Sequence, residues 1–303
     1  MIAGINHLVQ LEQAVVQPLV LPGAGKRIEA GVLRTDKIHA TISGNKWFKL
    51  KYNLQAAIEQ QYKSIVTFGG AHSNHIVAAA YACARLHVSC HIFIRGEEPR
   101  TPSAALQECH DLGAVLHFVS RELYADKQAL YELVSSQLPG TYLIEEGGCN
   151  ALGVKGAEEI LALAGDAGWS HICCAAGTGT MMAGLVNASG ANQHVTGICV
   201  LKMSPGNKVE QFIARSVGNR NYSILYDYHF GGYAKKTPAL IDFMNQFYRH
   251  TGIPTDFVYT GKLMYAVTDL VQQQYFPDGS RLLIIHSGGL QGNRSLPKNT
   301  LVF

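Results

Sequence analysis

The sequence predicts an α/β chain of two units, each a mainly parallel sheet flanked by helices. Three observations predict it. Short apolar runs recur between amphipathic stretches. The runs are continuous rather than alternating, the pattern of strands covered on both faces. Glycines cluster where several of these runs end, at Gly69-Gly70, Gly177-Thr178-Gly179 and Gly288-Gly289. With 303 residues, 47% of them hydrophobic and 16% charged, the chain can bury a large core in one large or two medium domains.

The elements follow in order. "SGNKWFKLKYNL" begins with a turn and reads as the entry to a helix, with Lys46 at its mouth. "SIVTFGG" (64–70) is a strand, and "SNHIVAAAYACARL" (73–86) a helix that Ser73 or Asn74 caps. "SCHIFIRG" reads as a strand, "SAALQECHDLG" as a helix, "AVLHFVS" as a strand, 122–137 as a helix and "TYLIEEGG" as a strand. The pattern resumes with helix 153–164, strand 170–175, helix 180–189, strand 194–201, helix 207–217, strand 222–227 and helix 237–251. "RLLIIH" is a further buried strand. No low-complexity linker divides the chain. The expected division is a large domain of 1–48 and 150–303 with a small α/β domain, 49–149, inserted in it. Ligands of such folds sit beyond the C-terminal strand ends.

Lys and Arg number 25 against 22 Asp and Glu, and no basic run tracks a phosphate backbone, so no nucleic-acid partner is expected. Seven cysteines without a Cys-x-x-Cys pair fit a reducing compartment; Cys173-Cys174 reads as small core residues. "MIAGINHLVQLEQ" lacks the features of a signal peptide. Residues 171–192 are long enough for a membrane span, but Gly-Thr-Gly-Thr in their middle reads as strand, turn and helix. A cytoplasmic protein with no membrane partner is expected.

Three junctions carry candidate chemistry. At 69–75 a strand ends in glycines and a helix presents its free N–H groups, an arrangement that suits a carboxylate or phosphate. An ordinary N-cap by Ser73 or Asn74 reads as well, and the two roles coexist. His72 and His75 have no third metal ligand placed by sequence, so no metal is expected. At 175–180 the turn Gly177-Thr178-Gly179-Thr180 suits a phosphate. It follows neither the P-loop nor the dinucleotide pattern, and a ligand-free turn reads equally. At the third, Tyr259 precedes Gly261 and Ser287 precedes Gly288-Gly289. A lysine with a separate phosphate cup, without Walker spacing or metal ligands, is what pyridoxal phosphate requires.

At these residues the sequence resembles the fold-type II pyridoxal phosphate enzymes, specifically the 1-aminocyclopropane-1-carboxylate (ACC) deaminase and D-cysteine desulfhydrase group. The motifs are "SGNKWFKLKYNL", "FGGAHSNH", "EEGGCNALG", "AAGTGTMMAGL", "DFVYTGK" and "IIHSGG". The resemblance implies Lys46 as the Schiff-base lysine and Asn74 at the cofactor's ring hydroxyl. Gly177, Thr178, Gly179 and Thr180, helped by Lys49, would hold its phosphate, and Ser287 would face its pyridine nitrogen. Ser73, Asn74 and His75 would bind the substrate carboxylate. Tyr259 would serve proton transfer at the reacting centre, with Ser73 as a further catalytic group and Thr260 beside the substrate. A homodimer is implied.

The resemblance has departures. The family's phosphate loop reads Gly-Ser-Gly-Gly-Thr, here Gly-Thr-Gly-Thr-Met; its usual Gln is His72; and "LQGNRSLPKNTLVF" lacks its usual continuation. By the same resemblance ACC deaminases carry glutamate after the active-site tyrosine and leucine at the position of Ser287, and desulfhydrases carry threonine at both. A neutral hydroxyl at the pyridine nitrogen favours prompt β-elimination. The expectation is therefore a lyase acting on a small amino acid, D-cysteine desulfhydrase-like, giving pyruvate, ammonia and sulfide. The alternatives are ACC deaminase, a D-serine dehydratase-like activity, and a non-catalytic pyridoxal phosphate or nucleotide-binding protein.

Overall fold

The computed structural model describes residues 3–23, 28–218 and 221–303. Met1 and Ile2, part of the stretch read as lacking a leader, lie outside them. The elements are α1 (Ala3–Asn6), β1 (Val16–Leu19), β2 (Glu29–Leu33), α2 (Asn45–Glu59), β3 (Ser64–Gly70), α3 (Asn74–Leu86) and β4 (Ser89–Arg95). Next come α4 (Ala104–Asp111), β5 (Val115–Val119), α5 (Arg121–Ala125), α6 (Lys127–Gln137), β6 (Tyr142–Leu143), α7 (Ala151–Ala162), β7 (His171–Ala176) and α8 (Thr180–Ala188). The chain continues through β8 (His194–Cys199), α9 (Lys208–Ser216), β9 (Tyr222–Leu225), α10 (Pro238–Thr251), α11 (Thr260–Gln272) and β10 (Arg281–Ile285).

The strands form two sheets, as the unbroken apolar runs require. One has the order β5-β4-β3-β6 and is parallel throughout. The other has the order β1-β2-β10-β7-β8-β9 and is parallel except at its β1–β2 edge. That antiparallel edge was not read from sequence, because Pro18 and the half-exposed residues of β1 hide its period. Two further expectations need correction. Helix 122–137 is two helices: Asp126 caps α6 through Ala129 N and so ends α5. "TYLIEEGG" is a strand only at Tyr142–Leu143, because Gly147 and Gly148 take positive φ values of 67° and 62° in the turn that follows.

Side chains cap most helix starts: Ser73, Ser103, Ser120, Asp126, Asn150, Asn207 and Thr237 each accept from an N–H of the following turn. Helices α2 and α8 begin without such a cap. Helix α2 starts at Gly44, whose φ of 60° is open to glycine, and a Cβ there would sit 2.1 Å from the Ser287 carbonyl oxygen. Trp47, Phe48, Leu50 and Leu54 carry α2 into the main core. Lys51 is tied to Glu159 of α7 by contacts of 2.9 and 2.6 Å, and Tyr52 donates to the same carboxylate. No helix among the described residues is long and apolar enough to cross a membrane.

Candidate active site

The ends of β2 and β10, which pair in parallel, hold the start of α2. Thr35 Oγ1 donates to the His286 carbonyl (2.6 Å), Gly44 N to the Thr35 carbonyl (3.0 Å) and Asn45 N to the Ser287 carbonyl (3.2 Å). Beneath this turn Arg34 donates to both oxygens of Asp36, at 2.8 and 2.7 Å, and His286 Nδ1 lies 3.3 Å from the same carboxylate. Burial pushes the Asp36 carboxyl up, but these partners more than offset it and hold it below the usual range. The turn sets Lys46 in the first helical turn, half-buried, its Nζ donating to Asn45 Oδ1 at 2.7 Å and 5.6 Å from the Tyr259 ring centroid. Burial, with the charge of Lys49, brings the Lys46 amine down to about 7, against a smaller opposing pull from Asp256. A neutral amine near pH 7 is a nucleophile and a proton acceptor.

One turn on, Lys49 is buried, and burial brings its amine down to about 8. Its Nζ reaches Thr178 Oγ1 at 3.3 Å, and Thr178 Oγ1 lies 3.0 Å from Thr180 Oγ1. Gly179, with φ 88°, turns the chain into uncapped α8. A cation, two hydroxyls and free helix N–H groups thus converge on one point, donors that match a phosphate. Cys149 Sγ contacts the Thr178 carbonyl at 3.6 Å on the same loop.

The loop at the start of α3 is placed less as expected. Asn74 Nδ2 donates to the Gly289 carbonyl at 3.2 Å, joining the start of α3 to the loop after β10. Ser73 Oγ accepts from His75 N at 3.2 Å, so Ser73 is the N-cap and keeps its own proton to donate. His75, expected to bind substrate, is 2% exposed, with its ring Nε2 2.9 Å from Thr67 Oγ1 and its backbone N–H donating to Ser73 Oγ. Burial, with the charges of Lys46 and Lys49, lowers its ring to about 3, so it stays neutral.

Tyr259 stands where α11 begins. Asp256, fully buried, accepts from Val258 N, Tyr259 N, Thr260 N and Thr260 Oγ1 at 2.6–2.9 Å and so fixes the loop that carries it. Thr260, expected beside the substrate, is fully buried and its hydroxyl proton goes to Asp256. The Tyr259 ring meets the Tyr233 ring edge-on, centroids 6.2 Å apart, and burial and Tyr233 raise its phenol well above the usual range. Ser287 is buried just after β10, and its carbonyl accepts from Asn45 N.

Sequence reasoning missed Asp256, Tyr233 and Lys262. Asp256 had a signal, an aspartate just ahead of a helix start. Lys262 is fully buried and donates to the carbonyls of Gly232 (2.7 Å), His229 (2.9 Å) and Val200 (3.5 Å). It clamps the loop that bears Tyr233, and nothing in its sequence neighbourhood marks it as buried.

Comparison with known proteins agrees with this geometry. Residues 21–288 match the family model for pyridoxal-phosphate dependent enzymes. A mitochondrial bifunctional D-cysteine desulfhydrase/ACC deaminase of Arabidopsis thaliana is 28% identical, over 90% of this chain and 75% of its own. A putative ACC deaminase of Pyrococcus horikoshii is 28% identical, over 90% and 88%. A D-cysteine desulfhydrase of Yersinia pestis is 29% identical, over 86% of each chain. A crystal structure of an ACC deaminase homologue superimposes with a TM-score of 0.78 at 25% identity, covering 92% of this chain and 90% of that one. A pyridoxal 5'-phosphate-dependent aspartate racemase shares the fold alone, with a TM-score of 0.67 at 14% identity.

Proposed function

Because this chain belongs to the pyridoxal-phosphate dependent enzyme family, we propose that it is a lyase that eliminates the β-substituent of a small amino acid, D-cysteine in the favoured case. The products are pyruvate, ammonia and sulfide. The observation that carries this reading is an amine lowered to about 7 at Lys46, under the ring of Tyr259 and one helical turn from the Lys49–Thr178–Thr180 cup. Lys46 would hold the cofactor's aldehyde carbon, and the cup with the start of α8 would hold its phosphate. Asn74 would serve its ring hydroxyl and Ser287 its pyridine nitrogen. When bound, the cofactor supplies an electron sink for charge that develops at Cα.

The chain's own groups do the rest. Ser73 Oγ–H and the Asn74 amide orient the substrate carboxylate. Lys46 Nζ, once free and neutral, takes the Cα proton. The β-carbon–sulfur bond then breaks and thiolate leaves; the enamine that remains takes up water and gives pyruvate and ammonia. Tyr259, whose phenol stays protonated, stands at the reacting centre to give a proton. Thr260 bears on the reaction by tying Asp256, which sets Tyr259. Relatives named ACC deaminase support a second reading, opening of the ACC ring to 2-oxobutanoate and ammonia. The absence of an acidic residue directly after Tyr259 favours the first. The same reading carries a cytoplasmic homodimer and an inserted unit at 49–149, which suits a four-stranded sheet lying wholly within 64–143.

The test is a spectrum with a product assay. Wild-type protein loaded with pyridoxal phosphate should show a visible band that borohydride shifts, and should release keto acid from D-cysteine faster than from L-cysteine, D-serine or ACC. Lys46→Ala should lose both the band and the activity. Turnover by Lys46→Ala near the wild-type rate refutes the assignment, and faster release from ACC selects the second reading.

A further inference from the structure

One wall of the crevice carries charge that the proposed reaction leaves unused. Gly70 of β3 pairs in register with Arg95 of β4, so the two residues face the same side of the sheet. With no side chain on Gly70, the guanidinium lies over it, and a Cβ there would be 3.6 Å from Nη2. Gly70 opens the loop that leads to Ser73 and Asn74. The Arg95 guanidinium is 5.8 Å from the centre of the Tyr124 ring, and Lys127 Nζ is 3.9 Å from the same ring. Lys127 is paired with Glu146 at 3.4 Å. Arg95 is exposed and, among the described residues, has no carboxylate partner. Tyr124 is only 3% exposed, yet its hydroxyl finds no hydrogen-bond partner. Gly147, which follows Glu146, lies against the phosphate cup: a Cβ there would sit 2.9 Å from the Thr178 side chain, so this cluster borders the same loop as Lys49.

An unpaired guanidinium beside the Tyr124 phenol and the Lys127–Glu146 pair is an arrangement with more donors than acceptors. A guanidinium fork matches a carboxylate with two parallel bonds. Glu146 is neutralised by Lys127, which leaves one positive charge over. We propose that Arg95, helped by the Tyr124 hydroxyl, determines specificity by taking a second acidic group at the far end of the substrate's side chain or leaving group. The substrate class is an amino acid with a distal carboxylate, such as a cysteine thioether that ends in one. This deepens the lyase reading and rests on it.

The experiment compares S-carboxymethyl-D-cysteine with its neutral isostere, S-carbamoylmethyl-D-cysteine, on the loaded enzyme. Keto-acid release should favour the carboxylate by about 10- to 100-fold in kcat/KM, the size of a charge-assisted hydrogen bond. Arg95→Met should bring the ratio to about one, and Arg95→Lys, a point charge without the fork, should keep part of it. Equal rates in wild type, or a ratio that Arg95→Met leaves intact, overturn the proposal. If neither compound nor D-cysteine turns over, the lyase reading falls. The same ratio, measured as Kd from the change in cofactor absorbance, then decides the role of Arg95 by the same criteria.

Discussion

Lys46, Lys49 and Lys51 lie within six residues and meet three different surroundings. Lys51 finds a carboxylate, Glu159, and is an ordinary ion pair across α2 and α7. Lys49 finds two hydroxyls and the start of a helix, and so keeps a charge that an anion would satisfy. Lys46 finds an amide oxygen and an aromatic ring, with Lys49 as a repelling neighbour. Removing the Lys49 charge should therefore raise the Lys46 amine and weaken the phosphate cup at once. In Lys49→Gln the midpoint for uptake of pyridoxal phosphate by the apo-protein, followed by absorbance against pH, should move upward from about 7. Its affinity for inorganic phosphate should fall by about tenfold or more. An unchanged midpoint means that Lys49 does not act on Lys46.

At the scale of elements, the site is made where helices begin. Helix α8 lacks a side-chain cap and faces Lys49, and α11 is set by Asp256. Helix α11 also reaches back through Lys262, whose contacts with the His229 and Gly232 carbonyls hold the loop around Phe230–Ala234 and whose third ties it to Val200, after β8. That loop has four residues at positive φ, Phe230, Gly231, Gly232 and Ala234, at 51°, 92°, 117° and 52°, so it does not hold its shape unaided. Lys262→Met leaves the carbonyls without their donor. It should destabilise the protein by about 2–4 kcal/mol and speed amide exchange across 229–234. Keto-acid release should slow as Tyr233 loosens against Tyr259. Exchange at 229–234 that matches wild type would show that the clamp does not order the loop. Much of the frame was legible because β3, β7 and β10 are apolar runs that end in or just before glycines. Lys46 and the 177–180 turn stood out because chemistry and turn residues coincide there, whereas Lys49 came with the family resemblance. The burial of His75 and Thr260 was not legible, since a polar residue beside a site motif looks the same in sequence whether it is open or packed on Thr67 and Asp256. Lys262 and Tyr233 were invisible for the converse reason: their partners are backbone carbonyls and a ring brought near by the fold.

For the whole molecule, the buried ionisable groups set how stability follows pH. Lys46, Lys49 and Lys262 release their protons near 7, 8 and 8 in the folded chain, against 10.5 when unfolded. Between about pH 7 and 10 these amines bind more protons in the unfolded chain, and their contribution to the stability of the apo-protein grows as pH rises. Tyr259 has the opposite sign: its phenol is raised well above 10, so above that pH the unfolded chain ionises first and stability falls. His75 governs the acid side. Lowered to about 3 from 6.5, it makes the unfolded chain the stronger proton binder between those values, and stability drops as pH falls through them. Burial also raises the thiols of Cys83, Cys109, Cys173 and Cys174, so from about pH 9 the unfolded chain loses these protons first. Thermal unfolding of the apo-protein should thus give a Tm that climbs from pH 4 to about pH 9 and turns down beyond it. Replacing Lys46 and Lys49 together by methionine should reduce the climb between pH 7 and 9 and keep most of the acid limb, because burial is the main cause of the lowered His75 ring and acts in a lower window. A Tm that falls between pH 7 and 9 in the wild type would mean that these amines are protonated in the fold, and the nucleophile would then have to be sought elsewhere than at Lys46.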